Sequence, residues 1–280
     1  MADPGPTSED RAPRAGRLAG GRECPTPAAA ETLTVPARFN GPPGIANGGW
    51  IAGCLATILT DGRTGDGNDG HVEVALRRGT PLDIQLDLER TAGGLRLSHD
   101  GRTLVDARLI SPGQSSILPL VGPPPPFVEP ELAARGATEY TGLNPDGFRG
   151  CVVCGPDRET GDGLRVFAWR VPEMPADTVA AVWRTHPSHT ADGAVPEQHV
   201  WAALDCPTFW AHIAAGTPSV AKALLVRQTV IVKAPVRGDA TYVVVARPEA
   251  ARGRALWGSG GLYTADGDLV ARTRTMWMTV

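Results

Sequence analysis

One apolar segment, residues 196–213, constrains the fold more than any other part of the chain. Its sequence, PEQHVWAALDCPTFWAHI, is long enough for a helix and leaves little of the helix surface for water. A helix of this kind needs a sheet or other helices around it. The segment carries one carboxylate mid-way, Asp205, and then Pro207, whose ring cannot continue a helix without a kink. The sequence therefore predicts an interior helix that kinks or restarts just past Asp205.

Two interpretations of Asp205 stay open from these residues alone. Aspartate is a favoured N-cap residue and proline is favoured in the first helical turn, so Asp205 would simply cap the turn that Pro207 opens. Alternatively, the carboxylate reaches a pocket, because a buried charge without partners is too costly to keep. The second interpretation makes Asp205 a candidate functional residue.

A second apolar helix is predicted for residues 46–62, ANGGWIAGCLATILTDG. Ile51, Leu55 and Ile58 recur at helical spacing and mark its buried face. Small residues occupy several of the remaining positions, and Gly53 in particular lowers helix propensity by about 1 kcal/mol. We interpret these small residues as a surface that lets another backbone approach closely.

The start of this helix, Asn47, Gly48 and Gly49, is a candidate binding site for an oxyanion. Backbone N–H groups at a helix start have no partners within the helix, and this end of the helix dipole is positive. The alternative is a plain Asn or Gly cap with glycine for a tight entry. The residues alone leave both readings open.

The chain divides into two similar halves, each with a helix followed by strands of alternating polarity. DGRTLV at residues 100–105 resembles DGDLV at residues 266–270, which supports an internal repeat. The predicted organisation is a disordered tail over 1–30, an N-terminal unit over 31–121, a linker over 122–149 and a C-terminal unit over 150–280.

Charge and composition narrow the classes of partner. The formal net charge of −3 with scattered arginines provides no basic surface for nucleic acid. No stretch resembles a signal peptide or is apolar over the length needed to cross a bilayer. We therefore expect a cytoplasmic protein that binds neither nucleic acid nor membrane, and a homo-oligomer is left open.

Four residues are of the types that bind zinc in proteins. Cys151 and Cys154 form a CxxC motif, and His186 and His189 form an HxxH motif further along the chain. These residue types complete a tetrahedral zinc site in other proteins, but this spacing fits no zinc finger. The sequence therefore predicts no metal and no cofactor.

The order of elements resembles the double hotdog fold of acyl-CoA thioesterases over residues 33–280. The most specific matches are IANGGW at the first helix, CVVCGPDRETGDGLRVFA, WAALDCPTFW at the second helix and GRALWGSGGLYTADGDLVARTRT near the end. The resemblance implies an α+β fold with two antiparallel sheets, each wrapping a central helix, joined edge to edge. A structure with a parallel sheet would exclude it.

The resemblance also implies roles for individual residues. In hotdog thioesterases a glycine pair at the helix start offers an N–H to the thioester carbonyl, and a helix carboxylate orients or activates water. Gly48, Gly49 and Asp205 match those positions and are the predicted catalytic residues. The family's Gln and Thr partners fall near Thr275 and Leu225, where this chain departs from the pattern. The predicted substrate-binding residues are Asn47, Trp50, Gln228, Thr229 and Thr275.

Three functions follow from this resemblance. The leading expectation is a thioester hydrolase that acts on acyl-CoA or an acyl-carrier thioester. The alternatives are non-catalytic binding of an acyl thioester, and hydration or dehydration on the same fold. Hydratases of this fold pair Asp with His, but His199 and His212 lie at spacings from Asp205 that put neither on its helix face. Hydrolysis is therefore favoured over hydration.

Overall fold

The computed structural model describes residues 31–61, 71–111, 123–143, 148–218 and 222–280. The predicted tail, residues 1–30, lies outside the described residues. The α-helices are α1 (Gly48–Leu59), α2 (Pro130–Gly136), α3 (Glu197–Ala203) and α4 (Cys206–Ala214). The strands are β1 (Thr32–Thr34), β2 (His71–Leu76), β3 (Gln85–Thr91), β4 (Gly94–His99), β5 (Arg102–Ile110), β6 (Trp169–Arg170), β7 (Val179–Arg184), β8 (Ala223–Val232), β9 (Thr241–Arg252), β10 (Ala255–Thr264) and β11 (Leu269–Thr279).

The strands form one antiparallel sheet in the order β1-β3-β4-β5-β2-β8-β11-β10-β9-β7-β6. The order is nearly symmetrical about the β2–β8 pair, since β5, β4, β3 and β1 follow on one side and β11, β10, β9 and β7 on the other. We predicted two sheets joined edge to edge. The described residues form one continuous sheet of eleven strands, in which β2 and β8 pair edge to edge at the junction of the two halves.

The β2–β8 junction combines short backbone pairing with buried charge. Three residue pairs are in register, and they include Glu73 opposite Thr229. Glu73 is only 1% exposed. Its Oε1 accepts hydrogen bonds from Arg108 on β5 at 2.6 Å and from Arg227 on β8 at 3.1 Å. These charge-assisted bonds link strands from both halves of the chain at the centre of the sheet.

Helices α1 and α3 pack directly against each other on one face of the sheet. A Cβ atom on Gly53 would lie 2.5 Å from the Cα of Gln198 and 2.8 Å from the Cβ of Trp201. Glycine is therefore needed at this position because the α3 backbone occupies the space of a side chain. This contact confirms the close backbone approach that the small residues of α1 predicted.

Along the strands, buried core residues alternate with residues that face the other side of the sheet. On β3, Leu86 and Leu88 are buried while their neighbours are exposed, so one face of the strand points to the helices. On β9, Val244 belongs to the helix-facing core, whereas Val243 and Val245 face a second cluster on the opposite side of the sheet. That second cluster is covered by α2.

Helix α2 lies within residues 122–149, the segment predicted as a linker. It begins with Pro130, which suits the first turn of a helix, and buries Ala133 and Gly136. The helix packs against β7 and β9. In the part of the chain that the structure describes, no helix is long and apolar enough to cross a membrane.

We expect Gly53→Ala to destabilise the protein although alanine favours helix formation by about 1 kcal/mol. The added methyl group would push into the α3 backbone, and overpacking of this kind costs about 1–3 kcal/mol. Urea unfolding measures the difference. Thr57→Ala, at a half-buried position of the same helix, is the matched control and should change stability by less than about 0.5 kcal/mol. An unchanged midpoint for Gly53→Ala would contradict the packing described.

Candidate active site

The break between α3 and α4 places Asp205 at the centre of the molecule. Helix α3 ends at Ala203, α4 begins at Cys206, and Pro207 stands in the first turn of α4. The predicted restart just past Asp205 is therefore confirmed. Asp205 occupies the N-cap position, but its side chain makes no capping hydrogen bond. Its carbonyl instead accepts a hydrogen bond of 2.7 Å from the Thr208 hydroxyl.

The Asp205 carboxylate is bound to the start of α1. Its Oδ2 accepts one hydrogen bond of 2.9 Å from the Gly49 amide and another of 2.9 Å from Asn47 Nδ2. The Oδ1 of Asn47 in turn accepts from the Trp50 amide at 2.8 Å and caps α1. A Cβ on Gly49 would lie 2.6 Å from the Cβ of Asp205, so only glycine permits this approach. The simple cap interpretation of Asp205 is wrong, while Asn47 does cap its helix.

The second oxygen of the Asp205 carboxylate, Oδ1, differs from Oδ2 in its hydrogen bonding. Asp205 is 1% exposed, and its Oδ1 has no hydrogen-bond partner among the described residues. Burial raises the pKa of Asp205 from its ordinary value to about 7, against the lowering effect of the hydrogen bond from the Gly49 amide. A buried acceptor without a protein partner is costly unless water or a ligand reaches it. Oδ1 is therefore the oxygen of Asp205 whose hydrogen-bonding capacity the described residues leave unused.

Asp205 lines a cavity of about 160 Å³. The walls are mainly apolar, with Phe148, Phe209 and Leu225 among them. Gly48 also lines the cavity, and no hydrogen bond from its amide is seen in the described part of the chain. The lining includes three exposed cationic residues, Arg77, Arg78 and Lys222. The cavity thus combines an apolar interior, one carboxylate, one helix-start amide and positive charge.

Three free thiols share this cavity. Cys151, Cys154 and Cys206 are all buried, and their sulfur atoms lie within 4.8 Å of one another. Hydrogen bonding from the neighbouring thiols holds the pKa of Cys151 well below its ordinary value, and bonding to Cys151 raises the pKa of Cys154 and Cys206. Sequence reasoning missed Cys206, because nothing in its local sequence connects it to a CxxC motif 55 residues earlier.

The other predicted substrate-binding residues lie outside the cavity lining. Trp50 is fully buried and stacks on Phe39 with ring centroids 4.1 Å apart. The Gln228 side-chain amide donates to the Trp201 carbonyl at 2.9 Å. The Thr275 hydroxyl donates to the Thr208 hydroxyl at 2.8 Å.

Thr229 and the two histidines of the HxxH motif also lie outside the cavity lining. Thr229 is fully buried on β8, and no partner for its hydroxyl is seen within the described ranges. His186 Nδ1 lies 2.8 Å from the Ser188 hydroxyl, and His189 Nε2 lies 3.3 Å from the Asp162 carbonyl. In the described part of the chain, neither histidine belongs to a group of possible metal ligands.

Comparison with known proteins places the fold. The chain matches solved structures of a candidate thioesterase from Novosphingobium aromaticivorans, with 15% identity, a TM-score of 0.58, and 89% of this chain and 94% of that chain covered. A tesB protein from Mycobacterium avium subspecies paratuberculosis matches at 14% identity and a TM-score of 0.56, covering 89% and 92%. A hotdog-fold protein from Alicyclobacillus acidocaldarius matches at 15% identity and a TM-score of 0.51, again covering 89% and 92%.

The chain has a hotdog fold. The predicted resemblance to hotdog-fold thioesterases is thereby confirmed for the architecture. No protein-family model matches the sequence, and no curated protein matches it. At these sequence identities the comparisons show the fold, and the chemistry has to be argued from the cavity itself.

We expect Asn47→Ala to lower stability by about 1–2 kcal/mol, because it removes a helix cap and one of the two hydrogen bonds to Asp205. Asn47→Asp is the matched variant. It keeps an oxygen that can cap α1 but replaces the donor to Asp205 by a second carboxylate. If the bond to Asp205 matters, Asn47→Asp is at least as destabilising as Asn47→Ala at neutral pH. Urea unfolding of the three proteins distinguishes these results, and a neutral Asn47→Asp would show that only the cap contributes.

Proposed function

We propose that this protein hydrolyses acyl thioesters, with Asp205 directing the attacking water. The observation that carries the proposal is the Oδ1 of Asp205, a buried acceptor without a protein partner in the described residues, in a mainly apolar cavity. Oδ2 is fixed by Asn47 and Gly49, so the carboxylate cannot rotate freely. A fixed acceptor of this kind can hold a water molecule in line with a bound carbonyl carbon.

We propose different roles for the two glycines that the sequence predicts as a pair. The Gly49 amide is engaged by Asp205, and its role is therefore to position the carboxylate. The Gly48 amide is the better candidate to polarise the thioester carbonyl, because Gly48 lines the cavity at the positive end of α1. Asn47 donates to the same carboxylate oxygen as Gly49 and acts as a second positioning residue.

The proposed hydrolysis needs only water, the Asp205 carboxylate and the Gly48 amide. Water held at Asp205 Oδ1 attacks the carbonyl carbon and gives its proton to the carboxylate. The carbonyl oxygen becomes an oxyanion that accepts a hydrogen bond from the Gly48 amide. The carbon–sulfur bond then breaks, the thiolate leaves with the proton from Asp205, and the free acid remains.

The cationic residues of the lining favour a substrate that carries phosphate. Coenzyme A and the phosphopantetheine arm of a carrier protein both present phosphate groups beyond the thioester. Arg78 and Lys222 are exposed at the cavity and suit such an anion, whereas Arg77 is paired with Asp106 at 2.6 Å. Acyl-CoA or an acyl-carrier thioester is therefore the proposed substrate, with the acyl chain against the apolar wall.

The cavity disfavours hydration or dehydration as the main activity. The hotdog resemblance implies that hydratases of this fold pair Asp with His, and none of the described lining residues is a histidine. His212 Nε2 lies 2.9 Å from the Trp257 carbonyl instead. Non-catalytic binding of an acyl thioester is the second candidate, favoured by the positions of Gln228 and Thr275 outside the cavity.

We further propose that residues 31–121 and 150–280 are two hotdog units in one chain. The symmetrical strand order about β2 and β8 supports this division. The site would then be formed across the units, since Gly48 comes from the first and Asp205 from the second. A cytoplasmic location without membrane or nucleic-acid partners, and the possibility of a homo-oligomer, stay predictions from the sequence.

Asp205→Asn should reduce hydrolysis of the best acyl-CoA substrate by about 10²- to 10⁴-fold. The amide keeps the shape of the side chain but takes no proton from water. The measurement is release of free thiol over a series of acyl chain lengths. Glu249→Gln, which removes a carboxylate paired with Arg274 outside the cavity lining, is the control and should retain full turnover.

Two results would change this conclusion. Turnover that persists in Asp205→Asn removes the residue from the mechanism. Wild-type protein that binds acyl-CoA by calorimetry but releases no thiol at any chain length would establish the binding function instead.

A further inference from the structure

The three thiols of the cavity have the spacing of a metal-binding group. The sulfur atoms of Cys151 and Cys206 are 3.8 Å apart, and Cys154 keeps all three within 4.8 Å. A tetrahedral zinc ion with bonds of about 2.3 Å to sulfur separates its sulfur ligands by about 3.8 Å. One pair already has this distance, and the others need only small side-chain movements to reach it.

The backbone around the CxxC motif is arranged to support sulfur ligands. The Gly155 amide donates to the Cys151 carbonyl at 2.9 Å and closes a tight turn. A Cβ on Gly155 would lie 2.3 Å from the Arg149 carbonyl oxygen, so the turn requires glycine. A turn closed in this way fixes the backbone of Cys151 and Cys154 relative to each other.

The third sulfur comes from the helix break. Cys206 is the first residue of α4, which has nine residues and a positive N-terminal end. Asn47 Nδ2 lies 4.0 Å from the Cys151 sulfur and 3.9 Å from the Cys206 sulfur, so one side-chain amide faces both. One side-chain amide and the N-terminal end of α4 therefore lie beside these sulfurs.

We propose that Cys151, Cys154 and Cys206 bind one zinc ion through three thiolates, with the fourth ligand position facing the cavity. Soft thiolate ligands select zinc or copper(I) over magnesium and calcium, and the tetrahedral spacing suits zinc. All three cysteines line the cavity, so a water molecule or a ligand in the cavity reaches the fourth position. Three protein ligands and one position for solvent are the arrangement of a reactive zinc site.

This site differs from the one that the sequence suggests. CxxC and HxxH together form a conventional ligand set, but the structure holds His186 against Ser188 and His189 against the Asp162 carbonyl. The proposal therefore departs from our sequence prediction of no metal. It extends beyond thioester hydrolysis, because zinc binding is measured without any substrate.

The test is zinc binding by the full chain. Protein purified with a reductant and freed of metal should bind one equivalent of Zn²⁺ in a calorimetric titration. Co²⁺ in place of zinc should give the intense visible absorption of tetrahedral cobalt with thiolate-to-metal charge transfer. Each of Cys151→Ser, Cys154→Ser and Cys206→Ser should reduce bound zinc to below about a tenth of an equivalent. His186→Ala, the control for the alternative ligand set, should still bind one equivalent.

A second variant distinguishes the zinc-binding proposal from the proposed thioester hydrolysis. Asp205→Asn retains all three thiols and should bind zinc as the wild type does, even where its turnover is lost. The proposal would be overturned if wild-type protein binds neither Zn²⁺ nor Co²⁺ when mass spectrometry shows that all three thiols are reduced. An octahedral cobalt spectrum would also overturn it, as would equal zinc binding by the Cys206→Ser variant, whose fold is checked by circular dichroism.

Discussion

The hydrogen bond between the Gly49 amide and Asp205 Oδ2 is the interaction on which the rest of the site depends. It joins the start of α1 to the break between α3 and α4, across 156 residues of sequence. The bond forms because Gly49 has no side chain and because Pro207 ends α3 before the carboxylate. One oxygen of Asp205 is thereby fixed, and the other has no hydrogen-bond partner among the described residues.

The continuous sheet explains how two halves of one chain hold such a bond in place. The β2–β8 junction has few backbone pairs, but Glu73 adds buried charge-assisted bonds from both sides. Helices α1 and α3 then pack backbone to backbone above the sheet, where Gly53 permits the contact. Close packing at both levels holds α1 near the α3–α4 break, so that the Gly49 amide lies within hydrogen-bond distance of Asp205.

The same cavity is lined by the groups of both proposals, the Asp205 carboxylate and the three thiols. A carboxylate suited to directing water and a group of three thiols suited to zinc lie on the same wall, because Asp205 and Cys206 are consecutive at the helix break. Asn47 faces both, since its amide donates to Asp205 and lies near two of the sulfurs.

The sequence by itself determined the features that arise from local interactions. The apolar helices, the restart at Pro207, the small face of α1 and the antiparallel strands all follow from periodicity and from the geometry of proline and glycine. These features also carried the resemblance to the hotdog fold and the choice of Asp205. Only the tertiary structure decided which partners Asp205 has, that the Gly49 amide donates to it, and that the Cys206 sulfur lies beside those of the CxxC motif. The physical reason is that each of these contacts pairs residues far apart in sequence, so no local pattern of residues encodes it.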